Sequence, residues 1–410
     1  MEVLISIDEA LARIFLNCQY KKTEVSDLFN AFGKTLAEDV KAVYDVPAFD
    51  RAMLDGYAVN YEDICVATVE HPALLNVVER VPAGFIPTRK LVRGEAFRTM
   101  TGAPIAEDAD TLVQFEFTEL TDDGEIKRVK ILRTVSIGEA IQRKGQDIRT
   151  GQRLLRAGTQ IGPKEIALLA TQGISEVPVL SPPKIGIYST GTEVVDLNDQ
   201  LQDGQVYNSN TPMLSALVRS VGAMPYPGKV LKDEPEIIRK ELAYALYAYD
   251  VIVTTGGVSV GDFDLIPGLL EELGVNRLFW GVYMRPGTPA YVGTYEGKLV
   301  FALSGNPSAA FINAHVLLMP ALHYLMGKTE QEIRAFPARL YRVPNKKKVK
   351  HIRFLSGRLF LQDHEWWIDV GGEQSVGSLT RFANANALAR IKPEEDIQEG
   401  SYVQVELLSI

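Results

Sequence analysis

The chain has only two cysteines in 410 residues, Cys18 and Cys65, and neither belongs to a CxxC pair. A zinc cluster or a disulfide framework is therefore not indicated, and a cytosolic (cytoplasmic) location fits. Positive charge is also scarce. Lysine and arginine number 43 against 52 aspartates and glutamates, a net charge of −9, which argues against wholesale nucleic-acid binding. No long apolar run stands out. The most apolar late stretch, 316–326, contains Pro320 and His323 and is too short to cross a bilayer, so no membrane is expected as a partner. Met1-Glu2 opens no basic region with an apolar core, so no signal peptide is expected. Low-complexity segments and clear repeats are missing too. What remains is 46% hydrophobic and 23% charged, an ordinary globular composition, and the length predicts two to four domains.

The most informative stretch is 250–264, DVIVTTGGVSVGDFD. The run Val251-Ile252-Val253 suits a strand buried on both faces. It ends in Thr254-Thr255-Gly256-Gly257, then come Asp262 and Asp264, then Leu265-Ile266 and Leu269-Leu270 at helical spacing. The pattern of strand, small-residue loop and helix recurs. Residues 184–193 (KIGIYSTGTE) run into Ser-Thr-Gly-Thr-Glu, and 298–307 (KLVFALSGNP) run into Ser-Gly-Asn-Pro before an apolar helix to about Met326. In an open parallel sheet such loops line one crevice at the carboxyl ends of the strands. Glycines allow close backbone approach, helix starts favour anions, and neighbouring acids can hold a hard cation. The reading is a site for a phosphorylated ligand with a metal ion. A plainer role stays open for single members: Asp262 or Asp264 could cap the following helix.

The rest of the chain reads as follows. Residues 1–22 predict one amphipathic helix with a capping box at Ser6 and Glu9 and apolar positions at Ala10, Ile14 and Leu16. Residues 43–59 predict an irregular loop, with Asp50 and Asp55 as site candidates or solvated turn residues, entering a strand at Tyr57-Ala58-Val59. Residues 60–142 read as a small β-rich domain with strands near Leu74–Val78, Thr111–Phe117 and Ile126–Leu132. Arg98 to Pro104 is a polar turn with anion donors. A helix is predicted at about Pro163–Gln172, with Gly173 as its C-terminal cap. In the α/β region, about 174–327, Asn208-Ser209-Asn210 and Asp233 stand at helix starts as ligand groups or caps. Arg285, in a rigid Met-Arg-Pro-Gly-Thr-Pro loop, is a phosphate clamp or a surface arginine. From residue 329 on, alternating residues and frequent turns predict a small β-barrel or sandwich. The basic run Lys346-Lys347-Lys348 with Lys350 reads as a solvated hairpin tip.

Taken together, PAFDRAMLDGYAV (47–59), RTMTGAPIAEDAD (98–110), STGTE (189–193), NSN (208–210), KDEP (232–235), TTGGVSVGDFD (254–264), MRPGTP (284–289), LSGNP (303–307) and ANA (385–387) resemble the molybdopterin molybdenumtransferases, the MoeA family that includes the gephyrin E domain. The resemblance covers essentially the whole length.

It implies an α/β multidomain fold: a central α/β domain with a mostly parallel sheet, a β-rich inserted domain and a C-terminal β-barrel-like domain. The boundaries expected are 23–41 plus 143–173 for a linker or dimerisation domain, 42–142 for the inserted domain, 1–22 plus 174–328 for the α/β molybdopterin-binding domain, and 329–410 for the barrel. It implies an elongated homodimer whose cleft lies between the central domain of one subunit and domains of the other. The activity implied is insertion of molybdenum from molybdate into adenylated molybdopterin, with Mg²⁺-dependent release of AMP. A tungsten-inserting paralogue and a non-catalytic molybdopterin-binding scaffold share the pattern. Further partners implied are the molybdopterin adenylyltransferase and other cofactor-assembly proteins.

Carried over by motif, the catalytic set is Asp55, Thr101, Glu193, Asp233 and Asp264, with Glu193, Asp233 and Asp264 as metal ligands. Substrate binding falls to Ser189, Thr190 and Gly191, to Asn210, and to Gly256, Gly257 and Ser259. It also falls to Arg285 and Pro286, to Ser304, Gly305 and Asn306, and to Arg353 and Ser375. The chain departs from the family pattern where Thr192 replaces an aspartate, Asn208 an aspartate, Thr288 a lysine and Ser304 a proline.

Overall fold

The computed structural model describes residues 4–18, 22–122, 127–258, 265–328, 335–343, 349–372 and 379–408. They form two compact units, one of residues 39–156 with 168–174 and the other of 1–38, 157–167 and 175–410.

The first unit is built on a six-stranded sheet. Its strands are β1 (Gly56–Val59), β2 (Ala73–Val81), β3 (Glu95–Thr99), β4 (Thr111–Gln114), β5 (Thr118–Asp122) and β6 (Lys127–Ile131), in the order β4-β1-β3-β2-β6-β5. Only β2 and β3 run parallel. Alternate residues feed separate cores, Ala58, Phe97 and Leu112 on one face and Tyr57, Val113 and Val129 on the other. Gly56 opens β1 because a Cβ there would lie 2.2 Å from the carbonyl oxygen of Val113. The apolar run expected as a strand through Phe117 stops at Gln114, and Phe115–Phe117 is a 3₁₀ turn.

The second unit begins with α1 (Ile7–Leu16), shorter than the helix expected over 1–22. The Ser6 hydroxyl accepts the Glu9 amide at 3.1 Å, half of the expected capping box; the Glu9 carboxylate turns instead to Arg13 one turn on. Ala10 and Ile14 are buried, but Leu16 is 82% exposed, because the helix ends there and its last side chain points off the apolar face. Helix α2 (Pro163–Thr171) follows the expected bounds, and Gly173 takes φ +65° behind it.

The central sheet holds β7 (Lys184–Thr190), β8 (Met224–Leu231), β9 (Val251–Thr255), β10 (Asn276–Trp280), β11 (Tyr291–Tyr295) and β12 (Lys298–Leu303). Their order is β8-β7-β9-β12-β11-β10, with the first four parallel and β11 antiparallel to both neighbours. Helix α3 (Asn210–Ser220) connects β7 to β8, α4 (Pro235–Ala248) connects β8 to β9, and α5 (Ile266–Glu272) follows β9. Ile185, Val251, Val253 and Phe301 face a core shared with α1, α3 and the 307–325 helix, whereas Tyr188, Ile252 and Val300 face α4 and α5. Burial on both faces is why these strands read as unbroken apolar runs. The edge strand β8 carries Pro225 and Pro227.

After β12 the chain is helical over Pro307–Leu325: α6 (Pro307–Asn313), one π turn (Ala314–Leu318) and α7 (Met319–Leu325). The π turn directly precedes Pro320, whose missing amide interrupts the regular ladder. This stretch is longer than the 316–326 run suggested and is long and apolar enough to cross a membrane by length and composition, but 72% of it is buried inside the protein as a core element.

Strands β13 (Ala335–Arg342), β14 (Ile352–Gln362), β15 (Glu365–Asp369), β16 (Ala387–Ile391) and β17 (Tyr402–Leu407) pair in the order β14-β15-β13-β17-β16, and β16 returns to β14. The result is a closed five-stranded barrel around Leu340, Leu355, Ile368, Ala389 and Val405. Met284–Arg285 adds to it in parallel, placing Arg285 beside Arg353.

Candidate active site

In the central sheet the chain leaves β7 toward β8 and then returns to place β9 on the other side of β7. The winding reverses between β7 and β9, and the crevice outside the carboxyl ends of these strands is where open α/β sheets bind ligands. A cavity of about 780 Å³ opens there. Its lining includes Ser189–Gly191 and Glu193 after β7, Asn208–Asn210 at the start of α3, Asp233 after β8, Thr255–Val258 after β9 and Ser304–Asn306 after β12.

A buried hydroxyl network holds the floor. The Ser189 hydroxyl lies 2.8 Å from Asn208 Oδ1, 2.9 Å from Thr211 Oγ1 and 3.1 Å from Thr255 Oγ1. Asn208 Oδ1 also accepts the Thr211 amide at 3.2 Å. The Asn210 amide nitrogen donates to the Gly305 carbonyl at 2.7 Å, while its Oδ1 is buried with no partner among the described residues. Glycines permit the close approach of the loops. A Cβ on Gly256 (φ +92°) would lie 2.5 Å from the carbonyl oxygen of Thr190. One on Gly191 would lie 2.8 Å from Glu193 Oε2, so the Glu193 carboxylate folds back over a position that must be bare.

Asp233 does not cap α4. The N-cap is Glu234, and Asp233 Oδ2 instead accepts the Thr192 amide at 3.0 Å and its hydroxyl at 3.1 Å. Asn306 does cap, accepting the Ser308 amide at 3.2 Å ahead of Pro307. The four departures from the family pattern are all hydrogen-bonded in place. Thr192 and Asn208 bond as described. The Thr288 hydroxyl donates to the Met284 carbonyl at 2.6 Å, and Ser304 bonds the Pro289 carbonyl and Asn313 Oδ1, each at 3.2 Å.

The structure therefore brings Ser189, Thr190, Gly191, Glu193, Asn210, Asp233, Gly256, Gly257, Ser304, Gly305 and Asn306 onto one cavity. Arg285 and Pro286 do not line it; Arg285 is exposed beside the barrel. Arg353 is buried in the barrel wall, where its Nε and Nη1 have no hydrogen-bond partner among the described residues, and desolvation pulls its pKa down. Ser259, Asp264 and Ser375 lie outside the described residues.

Asp55 and Thr101 belong to the other unit. They form a pair there, Asp55 Oδ1 accepting the Thr101 amide and hydroxyl. Those bonds, with Arg98 nearby, hold the Asp55 carboxyl below the usual aspartate value. The Arg98 guanidinium rests over the Phe115 ring at 5.0 Å.

Among the described residues, no group of three or more His, Cys, Asp and Glu side chains could hold a metal ion. Glu193 and Asp233 are, among the described residues, the carboxylates that line the cavity. Cavity residues that sequence reading left unassigned are Val194, Val206, Tyr207 and Leu379. Tyr207 pairs with Val195 in a two-stranded flap, a long-range pairing with no local signature.

A parallel α/β sheet with a glycine-lined cavity at its switch point, joined to a β-rich unit and a closed barrel, defines a multidomain α/β protein with the ligand crevice of open α/β sheets. Residues 5–173 match the MoeA N-terminal region (domain I and II), 186–324 match a "Probable molybdopterin binding domain", and 342–408 match the MoeA C-terminal region (domain IV). The chain is 36% identical to the molybdopterin molybdenumtransferase of Bacillus subtilis, covering 93% of this chain and 89% of that one. It is 34% identical to the enzyme of the same name from Staphylococcus aureus strain COL, covering 94% and 91%. A crystal structure of the molybdopterin biosynthesis MoeA protein of Pyrococcus horikoshii superposes with a TM-score of 0.85 at 31% identity, covering 99% of each chain. The chain belongs to the molybdopterin molybdenumtransferase (MoeA) family, transferases of molybdenum cofactor biosynthesis.

Proposed function

We propose that this protein inserts molybdenum from molybdate into adenylated molybdopterin and releases AMP in a Mg²⁺-dependent step. The observation that carries the reading is that Glu193, Asp233 and three glycine-bearing loops converge on one cavity at the switch point. A pterin dithiolate joined to AMP by a pyrophosphate is strongly anionic. Carboxylates meet such a ligand only through a cation. Mg²⁺ is held by one or two carboxylates together with substrate phosphates, which fits the pair Glu193 and Asp233, with Asp264 as the third acid of the set. Bound there, the ion would neutralise phosphate charge.

The remaining assignments concern the protein's own groups. The Gly257 amide and the Asn210 side chain orient the ligand, and Gly191 and Gly256 leave room for its close approach. Ser189, Thr190, Ser304, Gly305 and Asn306 shape its seat. Arg285 and Arg353 supply positive charge, and Asp55 and Thr101 act as catalytic groups. A homodimer and a cytoplasmic setting belong to the same reading, as do Ser259 and Ser375 as ligand contacts.

The test is AMP release from adenylated molybdopterin with Mg²⁺, with and without molybdate. Molybdate-dependent release is the expected result. Release with tungstate alone would move the protein to a tungsten paralogue. Tight binding without release under either oxyanion would make it a scaffold and overturn the catalytic reading.

A further inference from the structure

Strands β7 and β8 are parallel neighbours, so the loops that leave them lie side by side at the cavity. Their junction is a latch. The Gly191 amide donates to the Leu231 carbonyl at 3.1 Å. The Thr192 amide and hydroxyl both donate to Asp233 Oδ2, at 3.0 and 3.1 Å, and the Asp233 amide in turn donates to Thr192 Oγ1 at 3.4 Å. One hydroxyl therefore serves as donor to the Asp233 side chain and acceptor from its backbone. Thr192 does not line the cavity; Asp233 and Glu193 do. An aspartate at position 192, the residue that the family pattern carries there, could accept the backbone amide. As a carboxylate it could not donate to Oδ2, and two like charges would meet at hydrogen-bond distance.

We propose that Thr192 is a positioning residue that fixes the Asp233 carboxylate by tying down Oδ2, so that Oδ1 is presented to a divalent cation in the cavity. The inference rests on the cation reading of the site given above. Two hydrogen bonds to one carboxylate oxygen remove its rotational freedom, and the cation then meets a donor already oriented. Serine can make the same pair of bonds; valine and alanine cannot.

The test uses Mn²⁺ as a paramagnetic probe on the full-length protein with adenylated molybdopterin present and molybdate absent, with free and bound ion separated by electron paramagnetic resonance. Thermal melting is followed alongside to confirm folding. T192V is expected to weaken Mn²⁺ binding about five- to tenfold and to raise the Mg²⁺ concentration for half-maximal AMP release by a similar factor. T192S should stay within about twofold of the parent protein. T192A, which adds no bulk, gives the same comparison should T192V fail to fold. Equal Mn²⁺ affinity in the parent protein and in folded T192V or T192A would overturn the latch while leaving the cation site standing. Absence of Mn²⁺ binding in the parent protein would overturn the cation site itself, and the latch with it.

Discussion

Asp55 Oδ1 accepts two hydrogen bonds from Thr101, one from its amide and one from its hydroxyl, each 2.7 Å long. They stabilise the ionised carboxyl and depress its pKa. A carboxyl depressed in the folded state contributes stability that is present above the unfolded value of about 3.9 and is lost as pH falls through the folded value. T101V removes the hydroxyl and should raise the Asp55 pKa toward 3.9 in a carboxyl-detected NMR titration. An unmoved titration would mean that the amide bond alone sets the charge. Asp55→Asn should abolish AMP release while the protein stays folded, its melting temperature lowered only by the lost carboxylate contribution.

Gly256 carries a second expectation. With φ at +92° and the Thr190 carbonyl oxygen 2.5 Å from where a Cβ would sit, Gly256→Ala must move backbone rather than a flexible side chain. A cost of about 1–3 kcal/mol is expected from the strained conformation alone. Denaturant unfolding should show a lowered midpoint. Gly268, which has nothing within 4 Å of its built Cβ and no positive φ, is the control: alanine there should stabilise α5.

Arg353 offers a separation of stability from function. Its side chain is buried, and among the described residues Nε and Nη1 have no acceptor, so its desolvation is offset only in part by the charge of Glu395. Arg353→Met should leave the melting temperature unchanged or raise it, because an apolar chain of similar length replaces a buried, only partly compensated cation. The same change should weaken adenylated-molybdopterin binding at least tenfold by calorimetry. Parent-like binding would remove Arg353 from the ligand site.

His323, in α7, predicts an acid sensitivity. Burial, together with nearby Lys328, lowers its pKa below the usual 6.5. The unfolded chain then takes up a proton at a higher pH than the folded one, so stability falls as pH drops below 6.5 toward the folded value. His323→Gln should flatten the pH dependence of the melting temperature in that window. An identical slope would assign the effect to another group.

Much of the site was legible in the sequence, for a definite reason. Val251–Val253 and Leu299–Phe301 are buried on both faces, so they appear as apolar runs, and the glycines behind them mark where strand gives way to ligand loop. The Ser6 cap and Gly173 were legible because capping is local chemistry. The Thr192–Asp233 latch was not, since it joins residues 41 apart through strands that become neighbours only in the sheet. The pairing of Arg285 with Arg353 arises in the same way, from a two-residue strand added to a barrel. Leu16 was misassigned because spacing shows which face a residue occupies but not where the helix stops.

The prolines of β8 have a consequence for how the protein behaves in concentrated solution. The Met224 amide points inward, to the Pro183 carbonyl at 3.0 Å. Alternate amides along a strand point to opposite sides, so positions 225 and 227 would direct theirs outward, and there proline supplies none. The open margin of the central sheet thus lacks two of the donors that a foreign strand would need. Edge-to-edge pairing through β8 is disfavoured by covalent structure itself rather than by charge.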